Sequence, residues 1–273
     1  MRKRRQGRSI QAGAATDNGK MLIGERRQHI LSLVQRDGRV LVTELSESLG
    51  ISPITIRKDL DYLEARGQVQ RTHGGALSPQ GSTLLDPTLK EKEHHQIREK
   101  QRIAAAASKL VQSGQCILLD SGTTVTAVAR ALRQFSHLTI VTNAVNIAAE
   151  LSDTDFEIVL TGGTLRKNSF SLVGPMAEDM LSQIRADILF LAVDGFDPKI
   201  GITTPNVLES RVNRAMVNAS RKVVAVCDST KFSRSSMALI VPPTSIHAVI
   251  TDDQIPDAAA EALRNAGVEV IIA

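Results

Sequence analysis

Seven short apolar runs alternate with helical segments through most of the chain, and no other feature constrains the fold as strongly. The runs are 116–119, 138–141, 156–160, 188–193, 222–226, 248–250 and 268–272. Segments with helical periodicity separate most of them, near 123–134, 144–151, 175–184, 207–220 and 256–266. Continuously apolar strands are buried on both faces, as in a parallel sheet covered by helices. The sequence therefore predicts an α/β domain built on a mainly parallel sheet.

A different pattern precedes this domain. Residues 25–37 have helical periodicity, and a second, short helix is expected to begin with Thr43 as its cap. After a tight turn at Gly50, Ser52 is expected to cap a third helix that carries Pro53 at its first position and ends near residue 66. Residues 69–72 are predicted to form a strand that leads into a glycine turn. Three helices followed by a strand and turn are typical of a winged helix-turn-helix.

The third helix has one apolar face and one face suited to DNA. Ile56, Leu60 and Leu63 fall within about 60° of one another and are expected to face the core. The first two turns then project outward, where a recognition helix meets the major groove, and the glycine turn lets backbone and donor side chains approach phosphate. The predicted DNA-binding residues are Ser52, Ile54, Thr55, Arg57, Lys58, Arg71, His73, Gly74 and Gly75.

Small and polar residues follow several of the predicted strands. A loop of small residues that opens a helix offers backbone N–H groups and hydroxyls to an anion such as a sugar phosphate, although helix capping alone also explains such residues. The carboxyl ends of parallel strands meet at one edge of the sheet, where α/β domains bind ligands. The predicted effector-binding residues are Asp120, Ser121, Gly122, Thr123, Thr124, Thr142, Asn143, Gly162, Gly163, Asp194, Gly195 and Lys231. Arg166, Lys167, Glu209 and Arg211 are interpreted as solvated surface charges.

Charge and composition divide the chain into four parts. Residues 1–20 carry six basic side chains and one acidic, a net +5, and are predicted to be a disordered basic tail that a start at Met21 would omit. Residues 21–77 are the predicted winged helix-turn-helix, 78–88 a linker rich in Pro and Gly, and 89–273 the α/β effector-binding and oligomerisation domain. This last domain is expected to open with one helix over 89–111.

The remaining composition narrows the class of protein. The chain has no run of 18 apolar residues and no secretory signal pattern, so we expect a cytoplasmic protein without membrane contact. Cys116 and Cys227 lie in apolar runs without a neighbouring Cys or His at metal spacing, which favours buried thiols. The sequence predicts no metal site, no cofactor and no catalytic residues.

Two segments carry a resemblance to a known family. Residues 51–60, followed by 71–76 with the run Arg-Thr-His-Gly-Gly-Ala, closely resemble the DNA-binding signature of DeoR-family repressors, and the similarity extends from residue 25 to 273. The resemblance implies a second domain similar to the ribose-5-phosphate isomerase and CoA-transferase type of α/β fold, which senses a phosphorylated sugar. Asn213 departs from the pattern, because many members have Lys there.

The resemblance also implies a function. Residues 193–197, 209–214 and 228–236 are particularly similar to repressors of N-acetylgalactosamine and galactosamine use, which favours an amino-sugar phosphate or tagatose phosphate as the effector. We expect a bacterial, nucleoid-associated repressor of a carbohydrate operon, a homodimer or homotetramer on double-stranded operator DNA. One alternative is a sugar-phosphate isomerase or deaminase with an appended DNA-binding domain, using Asp194, Glu209 and Lys231. Another is an activator or a nucleoside-responsive regulator.

Overall fold

A computed structural model describes residues 22–37, 39–72, 74–77 and 86–273. The chain divides into two compact units between residues 77 and 78. The predicted tail, the start at Met21 and residues 78–85 of the predicted linker lie outside the described residues. Among the helices within the described ranges, none is both long and apolar enough to cross a membrane.

The N-terminal unit combines three helices with a small antiparallel sheet. Its elements are α1 (Ile23–Asp37), β1 (Arg39–Leu41), α2 (Val42–Leu49), α3 (Pro53–Glu64), β2 (Gln70–Thr72) and β3 (Gly75–Leu77). The sheet order is β1-β3-β2, so β2 and β3 form a hairpin, which we call the wing. Ile30, Ile56 and Leu60 are fully buried and Leu63 almost so, which confirms the predicted core face of α3. Gly50 closes the turn between α2 and α3 with a left-handed φ of 63°.

The start of α2 differs from the prediction. Leu41 occupies the cap position without a side-chain hydrogen bond, and Thr43 lies within the helix. The N–H of Val42 donates instead to the carbonyl of Gly74 at 2.8 Å. Because strand β1 runs directly into α2, a backbone carbonyl from the wing turn satisfies the first helical N–H, and no side-chain cap is needed there.

The C-terminal unit is an α/β domain. Its helices are α4 (Leu89–Glu93), α5 (Ile97–Ser108), α6 (Thr123–Leu132), α7 (Val145–Glu150), α8 (Pro175–Ser182), α9 (Val207–Asn218) and α10 (Asp257–Asn265), with 3-10 turns at Ser229–Ser233 and Pro243–Ser245. Its strands are β4 (Cys116–Leu119), β5 (Thr139–Thr142), β6 (Glu157–Leu160), β7 (Thr164–Arg166), β8 (Ser171–Val173), β9 (Ala186–Ala192), β10 (Gly195–Asp197), β11 (Gly201–Thr204), β12 (Ser220–Val226), β13 (Ala238–Val241), β14 (Ala248–Thr251) and β15 (Glu269–Ile272).

The seven predicted apolar runs form one parallel sheet. Its order is β15-β14-β12-β9-β4-β5-β6, and every neighbouring pair is parallel. Ile117 and Leu119 pack into one buried cluster with Val128 of α6, whereas Leu118 packs into a second with Val212 of α9. Helices therefore cover both faces, as the continuous apolar strands require.

The two cysteines belong to this sheet and differ in burial. Cys227 directly follows β12 and is buried, as predicted, whereas Cys116 at the start of β4 is half-buried. Burial raises the pKa of both thiols, so neither is a thiolate at neutral pH.

The predicted helix over 89–111 is wrong as a single element. It is divided into α4 and α5 by Gln96, whose φ of 51° is left-handed. The Lys100 ammonium donates to the carbonyl oxygens of Lys92 at 2.7 Å and of His95 at 2.5 Å. These bonds satisfy the carbonyls that the break leaves without helical partners. The hairpin β7–β8 and the antiparallel sheet β10-β11-β13 were not predicted, because most of their short strands contain polar residues or glycine and so do not form continuous apolar runs.

Candidate DNA-binding surface and effector site

The first two turns of α3 present most of the predicted recognition residues to solvent. The Ser52 hydroxyl accepts a hydrogen bond from the Thr55 N–H at 3.3 Å, which confirms the predicted cap. Ile54 is 65% exposed, and Arg57 and Lys58 are exposed, whereas Thr55 is half-buried with its hydroxyl 3.0 Å from that of Ser52. This face therefore offers one apolar and two cationic side chains to a groove.

Arg71 of the wing forms hydrogen bonds within the N-terminal unit. The Arg71 Nε donates to the Asp61 carboxylate at 2.8 Å, and Nη1 donates to the Gly75 carbonyl at 2.5 Å. The Arg71 N–H donates to Glu64 Oε1 at 2.9 Å. Arg71 thus ties the wing to α3, and much of its hydrogen-bonding capacity is used within the unit.

The two predicted wing glycines differ in their surroundings. A Cβ on Gly75 would collide with the carbonyl oxygen of Val40, so the pairing of β1 with β3 already requires glycine at this position. Gly74 is exposed, and a Cβ there would meet nothing within 4 Å. His73 lies outside the described residues.

Sequence reasoning missed a buried carboxylate in α3. Asp59 is 1% exposed, and its two oxygens accept hydrogen bonds from Arg26 Nε at 2.5 Å and Arg27 Nε at 2.8 Å. Burial opposes ionisation of Asp59, but the bonds from both arginines outweigh it and lower the pKa of this carboxyl. Asp59 lies three residues after Ile56 and four before Leu63, so helical spacing could have placed it on the covered side of α3.

The predicted effector residues follow the carboxyl ends of five adjacent strands, β6, β5, β4, β9 and β12, and the strand order reverses between β4 and β9. From β4 the chain adds β5 and β6 on one side, and then β9, β12, β14 and β15 on the other, so the crossover connections diverge between β4 and β9. Ligands of open α/β sheets bind at such a point, beyond the carboxyl ends of the strands. Asp120 follows β4, and Asp194 follows β9.

The Asp120 side chain connects the end of β4 to the end of β9. Its carboxylate accepts from the Ala192 N–H at 3.1 Å and from the Ser121 N–H at 2.7 Å. Burial raises the pKa of Asp120 to about 7 and the Glu209 carboxylate adds to the rise, while hydrogen bonds from both N–H groups and from Asn213 oppose it. Asp120 therefore orders the loop that leads into α6 and carries a proton at mildly acidic pH.

The N-terminus of α6 has the geometry of an anion site. Gly122 is its cap residue, with a φ of 135° and no side-chain hydrogen bond to the first turn. Side chains rarely adopt this backbone conformation, and a Cβ would lie 3.1 Å from that of Ala192. Thr123 is half-buried and Thr124 is buried behind it. The first N–H groups of a helix have no partner within the helix, so they can bind an anion at the positive end of its dipole.

Two predicted effector-binding residues, Thr142 and Asn143, lie at the end of β5. The Thr142 hydroxyl donates to the Leu119 carbonyl at 2.7 Å and accepts from the Ala144 N–H at 3.0 Å, so it fixes the end of β5. Asn143 is buried, and its Oδ1 has no hydrogen-bond partner among the described residues. A buried amide oxygen without a partner is costly, and this oxygen remains able to accept a hydrogen bond.

The three predicted effector-binding glycines other than Gly122 differ in backbone conformation and in their surroundings. Gly162 and Gly163 have φ of 74° and 114°, and a Cβ on Gly163 would lie 2.7 Å from the Val173 carbonyl oxygen. A Cβ on Gly195 would lie 2.7 Å from the Arg234 carbonyl oxygen. Gly163 and Gly195 therefore permit close backbone approaches, whereas a Cβ on Gly162 would meet nothing within 4 Å.

Basic side chains surround Asp194. Its carboxylate accepts from Lys92 Nζ at 2.7 Å and from the Thr204 hydroxyl at 3.1 Å. Although burial opposes ionisation, Lys92 and Lys231 hold the pKa of Asp194 below its usual value. Burial lowers the pKa of Lys231, and the Lys231 ammonium makes no hydrogen bond or ion pair with another described residue. The Nε of Arg234 is also buried without a partner in the described chain.

The interpretation of Arg166 and Glu209 as surface charges is wrong. Their side chains are 13% and 9% exposed and form an ion pair at 3.0 Å. Glu209 also accepts from the Ser171 hydroxyl at 3.0 Å, and Arg166 forms a second ion pair with Asp86. The ion-pair partners come from segments more than 40 residues apart, so helical or strand periodicity could not reveal them. Lys167 and Arg211 are exposed, as predicted.

Comparison with known proteins identifies the family. The family model described as "DeoR-like helix-turn-helix domain" matches residues 26–81, and the model described as "DeoR C terminal sensor domain" matches residues 95–253. The chain is 39% identical to the putative aga operon transcriptional repressor of Escherichia coli O157:H7, covering 91% of this chain and 93% of that protein. It is 36% identical to the glycerol-3-phosphate regulon repressor of Escherichia coli K12, over 84% and 90%.

Among solved structures, ribose 5-phosphate isomerase A from Methanocaldococcus jannaschii matches 48% of this chain and 52% of its own, with 16% identity and a TM-score of 0.36. Both curated relatives are named as repressors, which agrees with the prediction of a regulator rather than an enzyme. The matches to both domains and to nearly the whole length of these relatives show that the chain belongs to the DeoR family of helix-turn-helix transcriptional regulators.

Proposed function

We propose that this regulator represses a carbohydrate operon and leaves its operator when a phosphorylated sugar binds between the ends of β4 and β9. The observation that carries the proposal is that the N-terminus of α6 and the half-buried cations Lys231 and Arg234 follow the carboxyl ends of β4 and β12, the two strands that flank β9. A dianionic phosphate would supply both with the charge and acceptors that they lack.

On the DNA side, the exposed face of α3 enters the major groove. Arg57 and Lys58 bond guanine edges or phosphates, and Ile54 contacts a thymine methyl. Ser52 and Thr55, whose hydroxyls bond each other, lie where the helix start meets the backbone. The wing provides the remaining predicted contacts, with Arg71 holding it in place.

On the effector side, the first N–H groups of α6 and the Lys231 ammonium bind the phosphate. Asn143 Oδ1 accepts from a sugar hydroxyl, because it is buried without a protein partner among the described residues. The likeness to repressors of amino-sugar use favours an amino-sugar phosphate or tagatose phosphate. Glycerol 3-phosphate is the natural comparison ligand, since one relative is named for its regulon.

Residues 86–95, which we call the strap, connect this site to the linker. Asp86 accepts from Arg166 and from Asn168, whose Nδ2 is 3.1 Å away, and Lys92 pairs with Asp194. A cavity of about 560 Å³ lies among α4, α5 and α6, so the strap can shift without breaking a packed core. A bound phosphate competes with the two carboxylates for these cations and loosens the strap, whose first residues, 86–88, are also the last residues of the predicted linker to the DNA-binding unit.

Operator binding of this kind needs at least two copies of the chain. The compact DNA-binding unit is nearly neutral, so one copy has few electrostatic contacts, and paired copies on repeated half-sites supply the rest. We propose a homodimer or homotetramer in the bacterial cytoplasm, associated with the nucleoid, and sedimentation of the full chain with and without operator measures the number of copies.

The test begins with an operator duplex selected from random DNA on the full chain. Its affinity is measured by fluorescence anisotropy with galactosamine 6-phosphate, tagatose phosphates, glycerol 3-phosphate and the unphosphorylated sugars. We expect one phosphorylated sugar to weaken operator binding and its unphosphorylated form to have no effect. Lys231→Ala and Asp120→Ala should bind operator but lose this response, whereas the exposed control Lys199→Ala keeps it. Operator affinity unchanged by every phosphorylated sugar at saturation contradicts the proposal.

A further inference from the structure

Tyr62 of α3 lies against two arginines that the DNA-binding prediction did not include. The guanidinium carbon of Arg27 in α1 is 3.6 Å from the centre of the Tyr62 ring, and that of Arg66 is 4.5 Å from it. Both distances are within the range of a cation–π contact. One aromatic ring therefore contacts two guanidinium groups in the N-terminal unit.

Within the described residues, the arginines of this cluster outnumber the carboxylate that pairs with them. Asp59 pairs with Arg26 and Arg27, and it is the sole carboxylate among the described residues that forms an ion pair with any of the three arginines. Arg66 is exposed and forms no ion pair with a described residue. Three arginines and one aspartate leave a net charge of about +2, held in place by a buried anchor at Asp59 and by an aromatic ring.

The position of the cluster on α3 fits the wall of the major groove. Tyr62 lies about 40° around the helix from Lys58, on the same exposed side. From Lys58 to Arg66, two residues past the end of α3, the chain advances by about 12 Å at the helical rise, and the major groove is about 12 Å wide. When the first turns of α3 reach the base edges, the end of the helix lies near the phosphates that border the groove.

We propose that Arg27 and Arg66, held against Tyr62, form a clamp for one or two phosphates of the operator backbone. The clamp rests on the proposed operator binding and adds to it a contact independent of sequence. Arg27 Nε is used by Asp59, which leaves its terminal nitrogens to face phosphate. The clamp sets the position of α3, and the residues from Ser52 to Lys58 read the bases.

The decisive variant is Arg66→Ala, because Arg66 has no part in the buried pair with Asp59. Affinities for the selected operator and for a scrambled duplex of equal length are measured with the full chain over a series of salt concentrations. We expect both to fall by the same factor, about three- to tenfold, and the slope of log affinity against log salt to decrease by about 0.9 for each phosphate that the variant no longer binds. Tyr62→Phe keeps the ring and should match wild type, as should Arg221→Ala on the C-terminal unit.

Each outcome decides between a clamp and a structural role. Tyr62→Ala, which releases both guanidiniums, should reduce the salt slope further than Arg66→Ala. A salt slope equal to that of wild type in Arg66→Ala, or a change in the ratio of operator to scrambled affinity, overturns the clamp. If wild type selects no DNA sequence at all, the proposed function itself fails, and the two failures are thereby distinguished.

Discussion

Replacing Asp86 by Ala tests whether the strap carries the effector signal to the linker. In the structure, Asp86 accepts from Arg166 and Asn168, and Arg166 in turn pairs with Glu209, which raises the pKa of Asp120. The change removes the carboxylate that a bound phosphate must displace. We therefore expect the released strap to be favoured before any effector binds.

The magnitude follows from the burial of the pair. A hydrogen bond between charged groups contributes about 1.5–3 kcal/mol. The side chains of Asp86 and Arg166 are 24% and 13% exposed, and Arg166 keeps its bond to Glu209, so the lower part of this range, about 1.5–2 kcal/mol, applies. This difference corresponds to a factor of about 10 to 30. By linkage, operator affinity without effector should fall and effector affinity should rise, each by up to this factor.

The assay is anisotropy of the labelled operator titrated with the phosphorylated sugar that releases wild type. Asp86→Ala should need less sugar for half release, and Asp86→Asn, which keeps an acceptor for Asn168 without the charge, should fall between the two. Asp153→Ala is the matched control, because Asp153 forms a pair with Arg133 at 2.7 Å that is exposed on another surface. An unchanged or higher requirement for sugar in Asp86→Ala refutes the reasoning.

Four other predictions follow from the geometry of the two sites. Arg57→Ala should weaken operator binding by about 1–3 kcal/mol, measured by anisotropy, and leave effector binding by calorimetry unchanged; equal operator affinities of the variant and wild type would contradict it. Gly122→Ala should weaken effector binding by about 1–3 kcal/mol because of its φ of 135°, with Gly114→Ala, at an outlying turn, testing whether backbone strain alone has this effect. Effector affinity should fall as pH rises from about 7 to about 8.5, because Asp120, with a pKa of about 7, becomes charged while the phosphate, whose second pKa is about 6, is already dianionic. Calorimetry at constant ionic strength that shows a rise over this range would exclude this arrangement. Asp59→Ala should lower the unfolding free energy of the DNA-binding unit by about 3 kcal/mol, because it leaves two arginines without their anchor, and an unchanged melting transition would show that the anchor is dispensable.

Asp120 and Asp59 make the stability of the folded protein depend on pH in opposite directions. The pKa of Asp120 is raised from 3.8 to about 7 in the folded protein, so the folded state binds more protons than the unfolded state between these values. The contribution of Asp120 to stability is therefore fully present below about pH 4 and is lost as pH rises through 7. Asp59 has the opposite sign, because its pKa is lowered: its contribution is present above pH 3.8 and is lost as pH falls below that value.

Local sequence patterns are sufficient to predict most of the regular secondary structure that forms the two cores. The seven apolar runs became the seven strands of the parallel sheet, and the buried face of α3 followed from the spacing of Ile56, Leu60 and Leu63. These features depend on local periodicity, which each segment carries independently of its neighbours. The cap at Ser52 has the same local origin.

Tertiary structure alone decided which strand ends meet and which charges pair. Nothing in the spacing of residues places Asp120 beside Ala192, 72 positions away, or Arg166 between Asp86 and Glu209. Those contacts depend on the order of strands in the sheet and on the break at Gln96, where Lys100 binds carbonyls that a continuous helix would have satisfied. Local pattern set the elements, whereas the effector site and its connection to the linker arose from pairings between distant segments, whose energy exists only when the chain is folded.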